Sequence, residues 1–367
     1  MRILFFSHRF YPEIGGIEVN SEVLANEFVR NGAEVKLITW TQESGTKSFP
    51  YEVIRKPGLR RLIKAHQWAD VVYENNPSLR LSWPVLFTRK LHIIAIRTWI
   101  ARMDGSLAIQ DKLKKQWLGL ADAVIAVSEA VQIKTWPKSV VIGNPYRSNL
   151  FHVLPDVTRR KKFVFLGRLV SDKGAHFAIL ALSQLLKKDI IRESNKGLLT
   201  IIGVGPQIKE LKRLCIELGV KEFVDFRGAL SGDVLVKALN EHEFLLVPSV
   251  WEEPFGNVAL EGMACGCIPI VSDGGGLPDA VGEAGLVFER GNVDSLTKTL
   301  EKVLTNPEMV ANLRIAAIPH LQTHLPEIVG RKYFEVIDRA RSRRLEKHGN
   351  LIANQSKFPG ITFKNRK

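Results

Sequence analysis

The sequence predicts an α/β protein built from two doubly wound halves that face each other across a cleft. Three observations lead there. Short apolar runs ending in a small residue, Arg2–Ser7 (RILFFS) and again Lys162–Gly167 (KFVFLG), each enter a glycine-containing loop and then a helical pattern. Runs of this kind, alternating with helical stretches, mark parallel strands in βαβ units, where both faces of the sheet are covered. A stretch rich in Pro, Asn and charge, GNPYRSNLFHVLPDVTRRKK, separates the two series. A chain of 367 residues also suits two domains better than one.

In the first half the strands after Arg2–Ser7 are Val35–Thr39, Asp70–Tyr73, His92–Ile96 and Ala123–Val127, with a helix over Glu18–Asn31. In the second, Lys162–Gly167 is followed by Leu199–Gly203, Phe223–Arg227, Phe244–Pro248 and Ile268–Ser272. Helical patterns cover Ala175–Lys188, Gln207–Leu218, Gly232–Asn240 and Asp294–Leu304. The seam falls within Gly143–Arg160. The predicted domains are 1–150 and 151–326, followed by a helix over about 327–345 and a basic tail over 346–367.

The balance of 45% apolar and 25% charged residues is that of a soluble globular protein. No apolar run reaches the roughly 18–20 residues that span a bilayer. MRILFFSHRFYPE has the look of a signal peptide, but its apolar part is short, charges follow at once, and no cleavage site appears. It reads as a buried first strand of a cytoplasmic protein. Cys215, Cys265 and Cys267 make no disulfide framework, and Cys265-Gly-Cys267 lacks the two-residue spacer of redox and zinc motifs. Small buried thiols are expected.

A net charge of +14 calls for an anionic partner: nucleic acid, anionic lipid or a phosphorylated substrate. Between Ile328 and Lys367 eleven Lys/Arg face three Asp/Glu, which fits either a membrane-surface helix or a solvated one running into a tail. The stretch RKPGLRRLIKAHQW (Arg55–Trp68) sets Leu59, Leu62, Ile63 and Trp68 among five cations. That pattern suits an interfacial helix on anionic lipid, or a half-buried helix with a basic outer face. No aromatic-interleaved basic patch supports nucleic-acid binding.

A full G-x-G-x-x-G is missing after the first strand, where HRFYPEIGG carries only Gly15-Gly16, and there is no Walker A loop. Nicotinamide, flavin and P-loop enzymes are thereby disfavoured. Gly15-Gly16 open a helix, where backbone can approach an anion closely; a plain turn would also use glycine. In FLGRLVSDKGAH, Arg168 and Lys173 flank a strand-to-helix turn and could neutralise a diphosphate, although surface cations are common. In WEEPFGNVALEGMACGC two glutamates, Glu253 and Glu261, bracket a Pro-Phe-Gly turn and a helix start near Gly256 or Asn257. Free N–H groups there suit a phosphate or sugar oxygen, and a carboxylate suits a vicinal diol. Favourable helix-dipole placement would explain Glu253 only in part, and Glu261 not at all.

The Glu253-to-Glu261 spacing resembles the E-x7-E motif of family 4 retaining glycosyltransferases, which have the GT-B fold of two Rossmann-like domains. The likeness continues in order along the chain: FYPEIGGIE, ADAVIAVSEA, NPYRSNLF, GRLVSDKG, IIGVGP, VPSVWEEPFGNVALEGMACG and GGLPDAV, more strongly in the second half. The resemblance implies an acceptor-side domain over 1–150, with the helix of 327–345 packing back on it, and a donor-nucleotide domain over 151–326.

It also implies that Arg168 and Lys173 hold the donor diphosphate, with Gly15 and Gly16 closing from the other domain. Glu261 would bind the donor ribose, and Glu253 the transferred sugar with backbone groups of Phe255, Gly256 and Asn257. Arg168, Lys173 and Glu253 are accordingly the expected catalytic groups. No cofactor or metal is expected, since cations and helix termini stabilise the leaving diphosphate.

Two departures stand out. Where many family members carry a His beside the donor sugar, IIAIRTWIARMDG has Arg97 or Thr98; Arg97 could reach the sugar or an anionic acceptor but cannot serve as a base. Val204 replaces a usual acidic residue in IIGVGP.

The resemblance implies transfer of a sugar from a nucleoside diphosphate, UDP by family frequency, to a glycan or lipid-linked hydroxyl with retained configuration. Front-face attack, in which the departing phosphate accepts the proton, needs no side-chain nucleophile. Bacterial polysaccharide or lipopolysaccharide synthesis is the expected setting, with possible peripheral contact at the inner face of the cytoplasmic membrane. The alternative is a catalytically silent sugar-nucleotide-binding subunit of a synthesis complex. An epimerase of the same architecture would need further acid/base residues, which the sequence does not offer.

Overall fold

The computed structural model describes residues 1–13, 15–100, 108–191 and 197–355. The first half begins with β1 (Arg2–Phe6), α1 (Gly16–Arg30), β2 (Glu34–Thr39), β3 (Glu52–Arg55) and α2 (Leu59–Trp68). It continues with β4 (Val71–Asn75), α3 (Leu79–Ser82), α4 (Val85–Thr88), β5 (Leu91–Ile96) and α5 (Ile109–Gly119). It closes with β6 (Ala123–Ala126), α6 (Glu129–Thr135) and β7 (Val140–Val141).

The second half runs β8 (Lys161–Leu166), α7 (Ala175–Lys187), β9 (Leu199–Ile202), α8 (Ile208–Glu217), β10 (Val224–Gly228) and α9 (Gly232–Asn240). Then come β11 (His242–Val247), α10 (Asn257–Ala264), β12 (Ile268–Ser272), α11 (Leu277–Val281), β13 (Leu286–Phe288), α12 (Val293–Thr305) and α13 (Pro307–Thr323). A last helix, α14 (Pro326–Gln355), follows. The basic tail beyond Gln355 lies outside the described residues.

Two parallel sheets result, ordered β3-β2-β1-β4-β5-β6-β7 and β10-β9-β8-β11-β12-β13. In each the order reverses beside the first strand, between β1 and β4 and again between β8 and β11. Crevices open at the carboxyl ends of strands at such reversals, and that is where ligands bind in open α/β sheets.

The apolar runs explain why these segments are strands: Ile3, Leu4, Phe5 and Phe6 are fully buried, so both faces of β1 are covered. Fully burying a side chain of this size contributes roughly 1.5–3 kcal/mol. One apolar cluster runs from Leu4 and Phe6 through Tyr146, Phe151 and Phe255 to Val164 and Leu245, joining the two halves. The final helix returns to the first half. Tyr333 of α14 is fully buried, with its ring 5.9 Å from that of Tyr73 and 6.3 Å from that of Phe28.

Several boundaries differ from the sequence reading. Asp70 is not the start of β4: its carboxylate accepts hydrogen bonds from the Arg2 backbone N at 2.9 Å and from Arg2 Nη2 at 2.8 Å, pinning the neighbouring strand instead. Phe223 lies in a 3-10 turn that precedes β10. The strands β3, β7 and β13, at or beside sheet edges and two to four residues long, give no run that could be read. The three cysteines are buried and unpaired, and burial pushes the Cys215 thiol up to about 11 and those of Cys265 and Cys267 to about 12.

Candidate active site

At the reversal of the second sheet, the loops after β8 and β11 enclose a cavity of about 360 Å³ lined by Gly167, Lys173, Ser249, Glu253, Val258, Glu261 and Arg147. The loop after β8 turns on Gly174, with φ of +72°; a Cβ there would lie 1.9 Å from the carbonyl oxygen of Pro248. Only glycine permits that approach, which sets Lys173 against the loop after β11.

The Lys173 ammonium pairs with Oε1 of Glu253, and that oxygen also accepts a hydrogen bond from Ser249 Oγ at 2.9 Å. Lys173 Nζ lies 5.5 Å from the centre of the Trp251 ring. The Glu253 backbone is held as well, its carbonyl accepting from Gly276 N at 2.7 Å. A cation and a carboxylate therefore meet on one wall of the cavity, 20% and 12% exposed, each screened little by water.

Gly256, with φ of +112°, turns the chain into α10, and a Cβ there would lie 2.4 Å from Leu277 Cδ2. Asn257 is the first residue of α10, and Glu261 sits one turn further along it. The Glu261 carboxylate is 17% exposed and meets Arg147 Nη2 at 3.2 Å. Burial raises its pKa, and the Arg147 charge opposes that rise. Arg147 is a site residue that the sequence did not reveal: it stands in a stretch read as linker, and nothing local sets it apart from other surface cations.

From the first half, Gly16 faces the start of α10; the Asn257 amide nitrogen lies 3.6 Å from where a Gly16 Cβ would be. Gly15 is the residue before α1, in extended backbone. The loop that carries Glu253 is held from across the cleft at four points. Trp99 Nε1 donates to Glu252 O at 2.6 Å, and Ser128 Oγ to Pro254 O at 2.7 Å. Lys134 Nζ meets Glu252 Oε2 at 2.6 Å, and Asn144 Nδ2 donates to Asn257 Oδ1 at 2.7 Å. Of these four, Lys134 alone lies outside the stretches that the sequence singled out.

The side chains of Arg168, Phe255 and Arg97 do not line this cavity. Arg168 is exposed beyond β8 and does not line the cavity that Lys173 lines. The Phe255 side chain is 3% exposed and packs with its ring 5.6 Å from that of His324, so only its backbone borders the loop. Arg97 is 5% exposed, with Nε donating to Asn75 Oδ1 at 2.7 Å, Nη1 to Asn144 Oδ1 at 2.8 Å and Nη2 to Tyr73 OH at 3.1 Å. The expectation that Arg97 reaches sugar or acceptor is corrected accordingly: its guanidinium is committed to a buried network, and Asn144 carries that network to Asn257. Val204 is 60% exposed.

A second cavity, of about 780 Å³, opens at the reversal of the first sheet. His8, Arg9, Ile17 and Glu18 line it after β1, Asn75 to Arg80 after β4, and Gln110, Leu113 and Lys114 from α5. Burial, then the charges of Arg9 and Arg80, hold the His8 pKa below its usual value. Next to Asn75 in β4, Glu74 is fully buried and accepts from His92 Nε2 at 2.6 Å, Trp117 Nε1 at 2.8 Å and Ser78 N at 2.5 Å. Among the described residues, no group of three or more His, Cys, Asp or Glu side chains converges to hold a metal ion. No described helix is long and apolar enough to cross a membrane.

Residues 147–319 match the family described as Glycosyl transferases group 1. An uncharacterised glycosyltransferase of Methanocaldococcus jannaschii is 36% identical over 362 residues, covering 83% of this chain and 90% of the relative. A GDP-mannose-dependent alpha-(1-6)-phosphatidylinositol monomannoside mannosyltransferase of Mycolicibacterium smegmatis is 30% identical over 357 residues, covering 86% and 92%. Among solved structures, Anabaena HepE in complex with UDP superposes with a TM-score of 0.76 at 18% identity, over 92% of this chain and 100% of the other. Sucrose-phosphate synthase from Thermosynechococcus elongatus gives 0.75 at 20% identity, over 93% and 99%. The two facing parallel sheets are those of the GT-B fold.

Proposed function

Because this chain belongs to the glycosyl transferases group 1 family, and is a glycosyltransferase of GT-B type, we propose that it moves a sugar from a nucleoside diphosphate to a glycan or lipid-linked hydroxyl with retention. One observation carries the site assignment: Lys173, Glu253 and Glu261, from three separate elements, converge on one cavity at the strand reversal of the second sheet. Lys173 neutralises the donor diphosphate, with Arg168 at its exposed side and the backbone of Gly15 and Gly16 approaching from the first half. Glu261 takes the ribose hydroxyls. Glu253 takes hydroxyls of the transferred sugar, with backbone groups of Phe255, Gly256 and Asn257 beside it.

In this reading the departing phosphate oxygen accepts the acceptor's proton as the new glycosidic bond forms, so no side-chain nucleophile and no metal is required. Lys173 supplies charge stabilisation where the leaving group develops charge. The Lys173–Glu253 pair opens on donor binding, its two members turning to phosphate and sugar. The acceptor enters through the larger cavity of the first half.

UDP is the favoured donor, in line with the UDP bound by the Anabaena protein of like fold. GDP is the competing choice, because the mycobacterial relative's name specifies GDP-mannose. Calorimetry with UDP and GDP on the wild type, Lys173→Ala and Glu261→Ala tests both points. Each substitution should weaken binding of the preferred nucleotide at least about tenfold; unchanged affinity in both variants would sink the assignment. The commitment of Arg97 to a buried network favours one second reading, a sugar-nucleotide-binding subunit without catalysis. Transfer to any acceptor, or hydrolysis of any donor, that is lost in Lys173→Ala excludes it.

A further inference from the structure

Residues 53–69 and 75–100 contain nine Lys/Arg and no Asp or Glu. The fold lays these stretches side by side. His66 of α2 places Nε2 3.0 Å from Leu81 O of α3, and Lys90 Nζ donates to Gln67 O at 3.1 Å. Arg97 is buried, and Arg61 pairs with Glu52 at 2.9 Å. Arg60, Lys64 and Arg89 are exposed, with no carboxylate at ion-pair distance among the described residues.

Beside them stand large apolar side chains in water: Trp83 is 38% exposed, Leu86 50%, Leu59 60% and Phe87 78%. The Trp83 and Phe87 rings meet edge to face at 6.1 Å, so the protruding group is an aromatic pair. Of the two readings that the α2 pattern allowed, the half-buried helix with a basic outer face is the one the fold shows. Leu62 is buried, and Trp68 lies beneath Lys36 Nζ at 4.6 Å, so α2 turns most of its apolar face inward and offers only Leu59. The exposed apolar surface comes instead from Trp83, just after α3, and from Leu86 and Phe87 of α4.

An exposed cluster of this kind marks a surface that something covers. A second copy of a chain carrying +14 would bring like charge against Arg60, Lys64 and Arg89. An anionic bilayer meets both demands: aromatic rings settle at the headgroup level while flanking cations bear on anionic headgroups. We propose that the α2/α3–α4 face docks this chain on an anionic lipid bilayer, with Trp83, Leu86 and Phe87 entering the interface and Arg60, Lys64 and Arg89 on the headgroups. Leu79 and Arg80, one turn before Trp83, line the larger cavity, so docking turns its mouth toward the lipid surface. The docking itself does not depend on the transfer reaction.

The test sediments the full chain with vesicles of phosphatidylcholine alone and of equal parts phosphatidylcholine and phosphatidylglycerol. Only the anionic vesicles should carry the protein down. Trp83→Ser/Phe87→Ser and, separately, Arg60→Glu/Lys64→Glu should each lower the partition at least about tenfold while keeping the wild-type unfolding midpoint. Nucleotide affinity, measured in parallel, reports on the donor reading alone. Wild-type sedimentation by the aromatic variant would overturn the proposal and move lipid binding to another basic region. Equal sedimentation with both vesicle types would overturn its electrostatic part. Absence of sedimentation, together with self-association that the aromatic variant abolishes, would assign the face to a second copy.

Discussion

Replacing Arg147 by methionine removes the cation that faces the Glu261 carboxylate and keeps aliphatic bulk against Phe151, over whose ring the guanidinium sits at 5.0 Å. Stripping one partner from a buried pair costs roughly 3–5 kcal/mol when the remaining charge is sealed in. Here the Arg147 side chain is 35% exposed, so water reaches the pair and the lower end, about 3 kcal/mol, applies. Arg147 Nε is buried without a partner, and its removal returns about 1 kcal/mol. The expected loss is about 2 kcal/mol at neutral pH.

Its pH dependence has a definite sign. Burial raises the folded-state pKa of Glu261, so the folded protein holds that proton more tightly than the unfolded chain. Stability from this group is therefore present at low pH and lost as pH rises from the unfolded pKa through the folded one. Without Arg147 that window widens, because the term opposing the rise is gone. Urea unfolding should thus show a larger loss for Arg147→Met at about pH 7 than at about pH 5. In a Glu261→Gln background the loss should shrink to a few tenths of a kcal/mol. An equal loss in that background, or a larger loss at the lower pH, refutes the reasoning.

Gly256→Ala should destabilise by about 2–4 kcal/mol, adding left-handed backbone strain to overlap with Leu277, and should weaken nucleotide binding because Glu253 and α10 flank the turn; a wild-type urea midpoint would count against it. Ser128→Ala removes the hydrogen bond to Pro254 O across the cleft and should cost about 1 kcal/mol by the same measurement. His242 and His324 are buried, and burial lowers each pKa from 6.5 to about 4. The unfolded chain protonates both as pH falls below about 6.5, so stability should drop between about pH 6.5 and 4, by at most about 3 kcal/mol per residue; a flat profile there would show that neither stays neutral. Tyr333→Ala should cost about 3–5 kcal/mol and expose α14 to protease, since its ring is buried against Phe28 and Tyr73.

Legibility in the sequence followed the physical range of each signal. The central strands β1, β4, β5, β8, β9, β11 and β12 are buried on both faces, and that burial writes itself as an uninterrupted apolar run. The marginal strands β3, β7 and β13 carry no such run because few of their residues need one. The turn at Gly256 was readable from Pro-Phe-Gly and an apolar helix start, since strain and capping act within a few residues. Arg97 was misjudged for the opposite reason. Its place at the end of β5 was readable, but its partners Tyr73 and Asn75 come from β4 and Asn144 from the connecting stretch.

The amphipathic pattern of α2 shows the same limit. Periodicity identifies an apolar face but not what that face meets, and the fold turns it inward while exposing Trp83 and Phe87 next door. What the sequence alone determined are the two halves, the strands that centre them, and the place of Lys173, Glu253 and Glu261 in the turns and helix start that follow β8 and β11, because local conformation and burial patterning act along the chain. What only tertiary structure decided is which charges meet: Lys173 with Glu253, Arg147 with Glu261, and Lys134 with Glu252 across the cleft. Coulombic and hydrogen-bonding contacts depend on separation in space, and the strand order of the two sheets sets that separation.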